Sequence, residues 1–164
     1  MIFLRMPIGD DEPPIFIDAN TRTISKKING NGAEHPFFKN GISVQGDEVA
    51  EIVFFEIHRY FDATDLSEMN IVIQWAHANE PNDIHITPAF IKDIEDEPGK
   101  LIFGWPIGSE ITQYPGNIIF SIRFFRTDTD GTMLYSFNTK NQTVNINSAL
   151  TVEEITNEDS IDEN

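Results

Sequence analysis

The chain has 164 residues, no cysteine and a formal charge of −16. That length suits one domain with extensions, or two very small domains, and a hydrophobic content of 40% supports a real core. Without cysteine there are no disulfides, zinc–thiolate centres or thiol nucleophiles, and the acidity opposes nucleic-acid backbones, whose binding depends on Lys and Arg displacing counterions.

In chain order, the opening MIFLRMPIGDDEPP reads as neither a signal peptide nor a transit peptide. No apolar run approaches the ~20 residues that a membrane-spanning helix needs. Residence in the cytoplasm, or in a particle assembled there, is therefore expected. Asp10, Asp11, Glu12, Pro13 and Pro14 break regular structure. Ile15–Ile17 and Arg22–Ile28 are short candidate strands on either side of a turn, DANTR. The stretch NGNGAEHP (29–36) reads as a linker, because Asn-Gly pairs tolerate positive φ. Residues 1–36 are thus predicted to be an arm with its linker.

The body is predicted over residues 37–150. Ser43–Gln45 is a short candidate strand. Glu51–Phe61 alternates, with Val53, Phe55, Ile57 and Phe61 on one face and Ile52, Phe54, Glu56, His58 and Tyr60 on the other. DATDLSEMN (62–70) holds a helical turn capped by Thr64 or Asp65. Asn70–His77 alternates through Ile71, Ile73 and Trp75, and His85–Ile94 is a weaker strand pattern. Further alternation runs through Leu101, Phe103, Trp105 and Ile107, through Ile118, Phe120, Ile122 and Phe124, through Met133, Tyr135 and Phe137, and through Val144 and Ile146. The turns have their own chemistry: Pro-Gly in EDEPGK (95–100) and QYPGN (113–117), Asp-Gly in RTDTDGT (126–132). These signals predict an all-β fold, an antiparallel Ig-like β-sandwich of about seven to nine strands. Residues 151–164 form an acidic tail whose few apolar residues cannot bury enough surface to order it alone.

Candidate chemistry is thin. His58 beside Glu56 and Asp62 has the residue types of a general base, but on a strand it is expected to be a member of a polar ladder. His77, Asp83 and His85 lie close enough in WAHANEPNDIH to suggest zinc, yet lack the spacing of a helical metal motif. Asp128–Gly131 resembles a calcium loop only superficially, since Arg126 and Phe137 would fall at its first and last ligand positions. There is neither a Gly-x-Ser-x-Gly elbow nor a phosphate-binding loop. Asn141-Gln142-Thr143 matches a glycosylation acceptor, taken as incidental. No catalytic, cofactor-binding or metal-ligating residue is assigned. Trp75, Trp105, Phe124, Phe125 and Tyr135 are more aromatics than a small core obviously needs. They suggest a protein interface or a sugar-stacking surface, with a Phe-rich core, in which Trp75 would be a natural pin, as the equal alternative.

The segments IDANTRTISKKI, GISVQGDEVAEIVFFEIHRYFDATDLSEMNIVIQW, PGKLIFGWPIGSEITQYPGNIIFSIRFF and LYSFNT, in this order, resemble small structural proteins of tailed bacteriophages that infect Gram-positive bacteria. The resemblance covers roughly residues 15–148. It rests on the step from Gly46 to Glu51 into the strand ending RYFD, and on the Phe103–Trp105 strand leading to the strand ending RFF. It implies an Ig-like virion component without catalytic residues, decorating the capsid or contributing to a head fibre or tail accessory structure. Its implied partners are other virion proteins, such as major capsid or tail subunits, and further copies of itself, with no nucleic acid and no membrane. Its implied location is the virion, assembled in the host cytoplasm. The alternatives are a carbohydrate-binding module contacting the host surface, through residues such as Trp105 or Tyr135, and a hydrolase using a carboxylate pair.

Overall fold

The computed structural model describes residues 14–26, 34–46, 51–97 and 99–148. The predicted acidic tail, most of the predicted linker and the first thirteen residues lie outside this description.

Two sheets account for nearly all the regular structure. The first contains β1 (Ile15–Asp18), β2 (Thr23–Ile24), β4 (Glu51–His58), β9 (Phe90–Glu95) and β10 (Lys100–Ile107), in the order β2-β1-β4-β10-β9. The second contains β3 (Ser43–Val44), β7 (Asn70–His77), β8 (His85–Pro88), β11 (Gly116–Thr127) and β13 (Gln142–Asn147), in the order β3-β13-β11-β7-β8; β12 (Met133–Asn138) also pairs with β11. A small ribbon joins β5 (Tyr60–Phe61) to β6 (Thr64–Asp65). Two four-residue helices, α1 (Pro36–Lys39) and α2 (Ser109–Thr112), and a 3-10 turn at Leu66–Glu68 complete it.

The expectation of purely antiparallel pairing is corrected. Most pairs are antiparallel, but β1 runs parallel to β4 and β3 runs parallel to β13, so both sheets are mixed. The expected seven to nine strands also become thirteen segments among the described residues. Short edge pieces add some, two predicted strands are divided by local chemistry, and a third interruption separates two strands that the sequence already kept apart.

The first division is at Arg59. Its N–H bonds to the Gly99 carbonyl and its own carbonyl accepts from Leu66 N–H, so the chain leaves the β4–β10 ladder there. The second is at Ala89, where the chain passes from one sheet to the other. The third interruption is at Thr139. Strands β12 and β13 both lie along the same side of β11, as one interrupted strand. Thr139 bridges the interruption: its N–H donates to the Ile122 carbonyl (2.9 Å) and its hydroxyl accepts from Ile122 N–H (2.8 Å). Lys140 N–H is thereby freed to reach the Arg22 carbonyl in the β1–β2 turn (2.8 Å), tying the two sheets together.

Alternation places the core where periodicity predicts. Val53, Phe55, Ile57, Leu101, Phe103, Trp105 and Ile107 are buried from the first sheet; Ile71, Ile73, Trp75, Ile118, Phe120, Ile122 and Phe124 from the second. Rings meet across the gap: Trp105 and Phe120 at 5.0 Å, Phe103 and Phe124 at 5.6 Å. Phe37, carried by α1, fills one side of the layer against Phe55 and Phe120. Each such side chain contributes about 2–3 kcal/mol on leaving water.

Residues 15–24, assigned to an arm by the sequence, instead form part of the first sheet. Ile15, Ile17 and Ile24 are buried, and β1 lies in register along Phe55–Ile57. The reason is geometric: only a strand beside β4 covers that flank of the aromatic layer.

The cap predicted at Thr64 or Asp65 is Asp65. Its carboxylate accepts from Ser67 N–H (3.0 Å) and from the Ser67 hydroxyl (2.7 Å). It also takes a forked pair of bonds from Arg59, 3.1 Å from Nε and 2.9 Å from an Nη, while the other Nη pairs with Asp96. The Arg59 bonds are the main reason that the Asp65 carboxyl falls from 3.8 to about 2, with Ser67 helping and partial burial opposing. A lowered folded-state pKa stabilises the fold at neutral pH, and that contribution is lost as pH falls from about 4 towards 2. Asp65→Asn is therefore expected to flatten the pH dependence of the urea midpoint in that window. An unchanged slope would remove Asp65 from the acid response.

Candidate functional site

Among the described residues each sheet ends in a shorter and a longer strand, and in the second sheet the six-residue β12 is also paired on one side only, to β11. On one flank of the molecule the edges are β2 and β3, two residues each. On the other they are β8 and β9, with four and six residues. Only Ala89 separates β8 from β9, so a single run of chain borders both sheets. Short strands are a common way to keep an edge from pairing, and the β8–β9 flank lacks that protection.

Five large apolar side chains meet solvent on this flank; among the described residues Met133 and Leu134 on β12 are the other exposed aliphatic ones. Ile84 and Ile86 are 63% and 61% exposed; Phe90, Ile91 and Ile94 are 40–43% exposed. On β9, Ile91 lies opposite Phe103 and Ile94 opposite Leu101, both fully buried partners. The inward face of the first sheet therefore continues past the covered core. Phe90 lies on the outward face opposite Gly104, where a Cβ would stand 2.5 Å from its ring; glycine lets the ring settle edge-on against Phe54. Lys92 is an extra residue in the ladder, a bulge, and its ammonium sits 4.2 Å from the Phe54 ring centroid.

β8 is held by Trp75. The His85 ring stacks on the indole at 4.4 Å, and the Thr87 hydroxyl accepts the indole N–H at 2.9 Å. Two shallow grooves border the run. One, about 310 Å³, is lined by Ala76, Pro81, Ile84, Ile119 and Asn141; the other, about 420 Å³, by Met69, Ile71, Ala89, Ile91 and Phe125.

The sequence candidates are placed elsewhere or otherwise engaged. His58 is exposed and meets the edge of the Phe16 ring at 5.6 Å. His77 is buried, 3.3 Å from the Glu110 carbonyl and edge-on to Trp75. Asp83 contacts His85 at 3.3 Å, but His85 is committed to the Trp75 stack. No group of three or more His, Asp or Glu able to hold a metal occurs among the described residues. Asp128 does what a hairpin needs: its carboxylate accepts from Asp130 and Thr132 N–H, with Gly131 at φ +84°.

The aromatics are redistributed too. Trp75, Trp105 and Phe124 are core, so Trp105 offers no face to a sugar. The tyrosines that are exposed, Tyr60 and Tyr114, stand at opposite ends of β10. The residues that sequence reasoning missed are Ile84, Ile86, Phe90, Ile91 and Ile94. One signal was present: apolar positions in DIHITPAFIKDI change parity midway, which a single half-buried strand does not do.

No family model matches this chain, and no curated protein matches it. No helix of the described residues is long and apolar enough to cross a membrane.

Proposed function

We propose that the protein is a non-enzymatic structural component of a tailed-bacteriophage particle. It is an Ig-like sandwich that docks onto other virion subunits, decorating the capsid or contributing to a head fibre or tail accessory structure. The observation that carries this reading is the run Ile84–Glu95, which leaves five large apolar side chains in water beside two open strand edges. Large apolar side chains left exposed along one open flank mark interaction sites in soluble proteins. The sequence resemblance supplies the context of the particle, and the acidic surface suits a subunit displayed in many copies without unspecific sticking.

Replacing Ile86 and Ile94 together by Lys tests the docking. Both are exposed, so the thermal midpoint is expected to stay near the parent's. Copy number in purified particles, measured by quantitative mass spectrometry, is expected to fall about tenfold or more. Absence of the parent protein from particles would overturn the virion assignment. Normal incorporation of the variant would move the docking surface elsewhere. Binding to host cell walls by both proteins alike would favour the carbohydrate reading instead.

A further inference from the structure

β9 is the longer of the two open edges on this flank, and its inward residues show what is missing beside it. Ile91 and Ile94 lie level with Phe103 and Leu101 yet keep 41% and 43% of their surface exposed, because among the described residues no further strand pairs with β9 to cover them. An added strand would complete that face while its main chain satisfied the free edge of β9.

Charge narrows the kind of strand. Glu80, Asp83, Asp93, Glu95, Asp96 and Glu97 line the same stretch of chain, against one cation, Lys92, which rests over Phe54. Arg59 and Lys100 partly neutralise Asp96 and Glu95, and the net sign stays negative. A second copy approaching through the same edge would bring the same carboxylates into contact. The segment 149–164 has six acidic residues and no basic one, so it meets the same repulsion. Like charges brought this close repel each other even in water. The bulge at Lys92 further deters indiscriminate pairing.

We infer that β9 accepts an extended, basic strand from a different protein. In this complex the apolar side chains of the added strand pack on Ile91 and Ile94, and its Lys or Arg side chains face the carboxylates. The inference rests on the docking reading above and names the partner's chemistry.

A short peptide of alternating Lys and Val is the probe, applied to the full chain. Its controls are an alternating Glu–Val peptide and a Lys–Val peptide N-methylated at alternate residues, which keeps the charge but loses one hydrogen-bonding edge. The Lys–Val peptide is expected to bind about tenfold tighter than either control by fluorescence anisotropy. It should also slow amide exchange in residues 90–95, and Ile94→Lys should weaken binding without shifting the thermal midpoint. Equal binding of the N-methylated peptide would reduce the effect to unspecific charge and overturn the inference. So would protection confined to other strands, or parent protein that sediments as a dimer through this edge. Tighter peptide binding after removal of residues 1–13 would assign the edge to the chain's own N-terminal segment and overturn it equally. Peptide failure with normal particle incorporation would sink this inference alone; peptide binding by a protein absent from particles would sink only the virion assignment.

Discussion

Phe120→Ala is expected to lower the unfolding free energy by about 4 kcal/mol, with an unchanged denaturant slope in a urea titration. Phe120 is almost fully buried at the centre of β11, and its ring meets Trp105 at 5.0 Å, Phe37 at 5.8 Å and Phe55 at 6.2 Å. These three rings come from β10, α1 and β4, so one truncation opens a void where three separately positioned elements converge. Domains of this size hold about 5–15 kcal/mol in total, which makes the loss a large share of the whole. Phe120→Leu, which keeps most of the volume, is expected to cost under about 1.5 kcal/mol. A loss for the alanine variant as small as that for leucine would mean that the two sheets do not close over this ring.

Removal of residues 1–26 is expected to abolish the cooperative unfolding transition, whereas removal of residues 1–13 should preserve it. The sequence alone suggests the opposite for the longer cut: an arm over residues 1–36 that separates from a folded sandwich. The difference lies in Ile15, Ile17 and Ile24, all buried, and in the parallel ladder that β1 forms with Phe55–Ile57. Loss of three buried isoleucines costs about 6 kcal/mol or more, comparable to the full stability of a small domain. The Arg22 carbonyl that receives Lys140 N–H disappears as well, which loosens the link between the sheets. Circular dichroism against temperature checks both truncated proteins. A protein lacking residues 1–26 that melts at the parent's midpoint would show β1 to be dispensable.

The legible part of the fold is the part governed by period-two burial. Asn70–His77 forms a strand with the predicted bounds, and its inward residues Ile71, Ile73 and Trp75 are those that alternation selects. Leu101–Ile107 and Ile118–Phe124 behave the same way, because a strand with one wet face leaves a direct mark on sequence. Asp65 was legible as a cap, since carboxylates favour that position for a local reason. Long-range choices were not. Nothing near Ile15 announces that its partner is Phe55, forty residues away and parallel. Thr139 looks like any strand threonine until Ile122 is placed beside it.

The exposed β8–β9 edge was harder still. Strand β9 is exposed on both faces, so its isoleucines alternate with nothing, and they read as a poor strand rather than as uncovered surface. The aromatic excess was visible, but its destination was not: Trp105 shares the parity of Phe103, and the facing sheet decides that both are covered. The histidines near Trp75 illustrate the same limit. Spacing in WAHANEPNDIH brings His77 and His85 close in sequence, and the fold then uses both to pack an indole.

The passage of one ribbon from layer to layer at Ala89 has a mechanical consequence. A pull applied along Ile84–Glu95 is shared between two hydrogen-bonded ladders at once, one to β7 and one to β10. Such a load acts on both seams in shear, and neither can peel open bond by bond while the other holds. A tether fastened to this ribbon would therefore resist tension better than one fastened to β2 or β3, where a single short ladder bears the force.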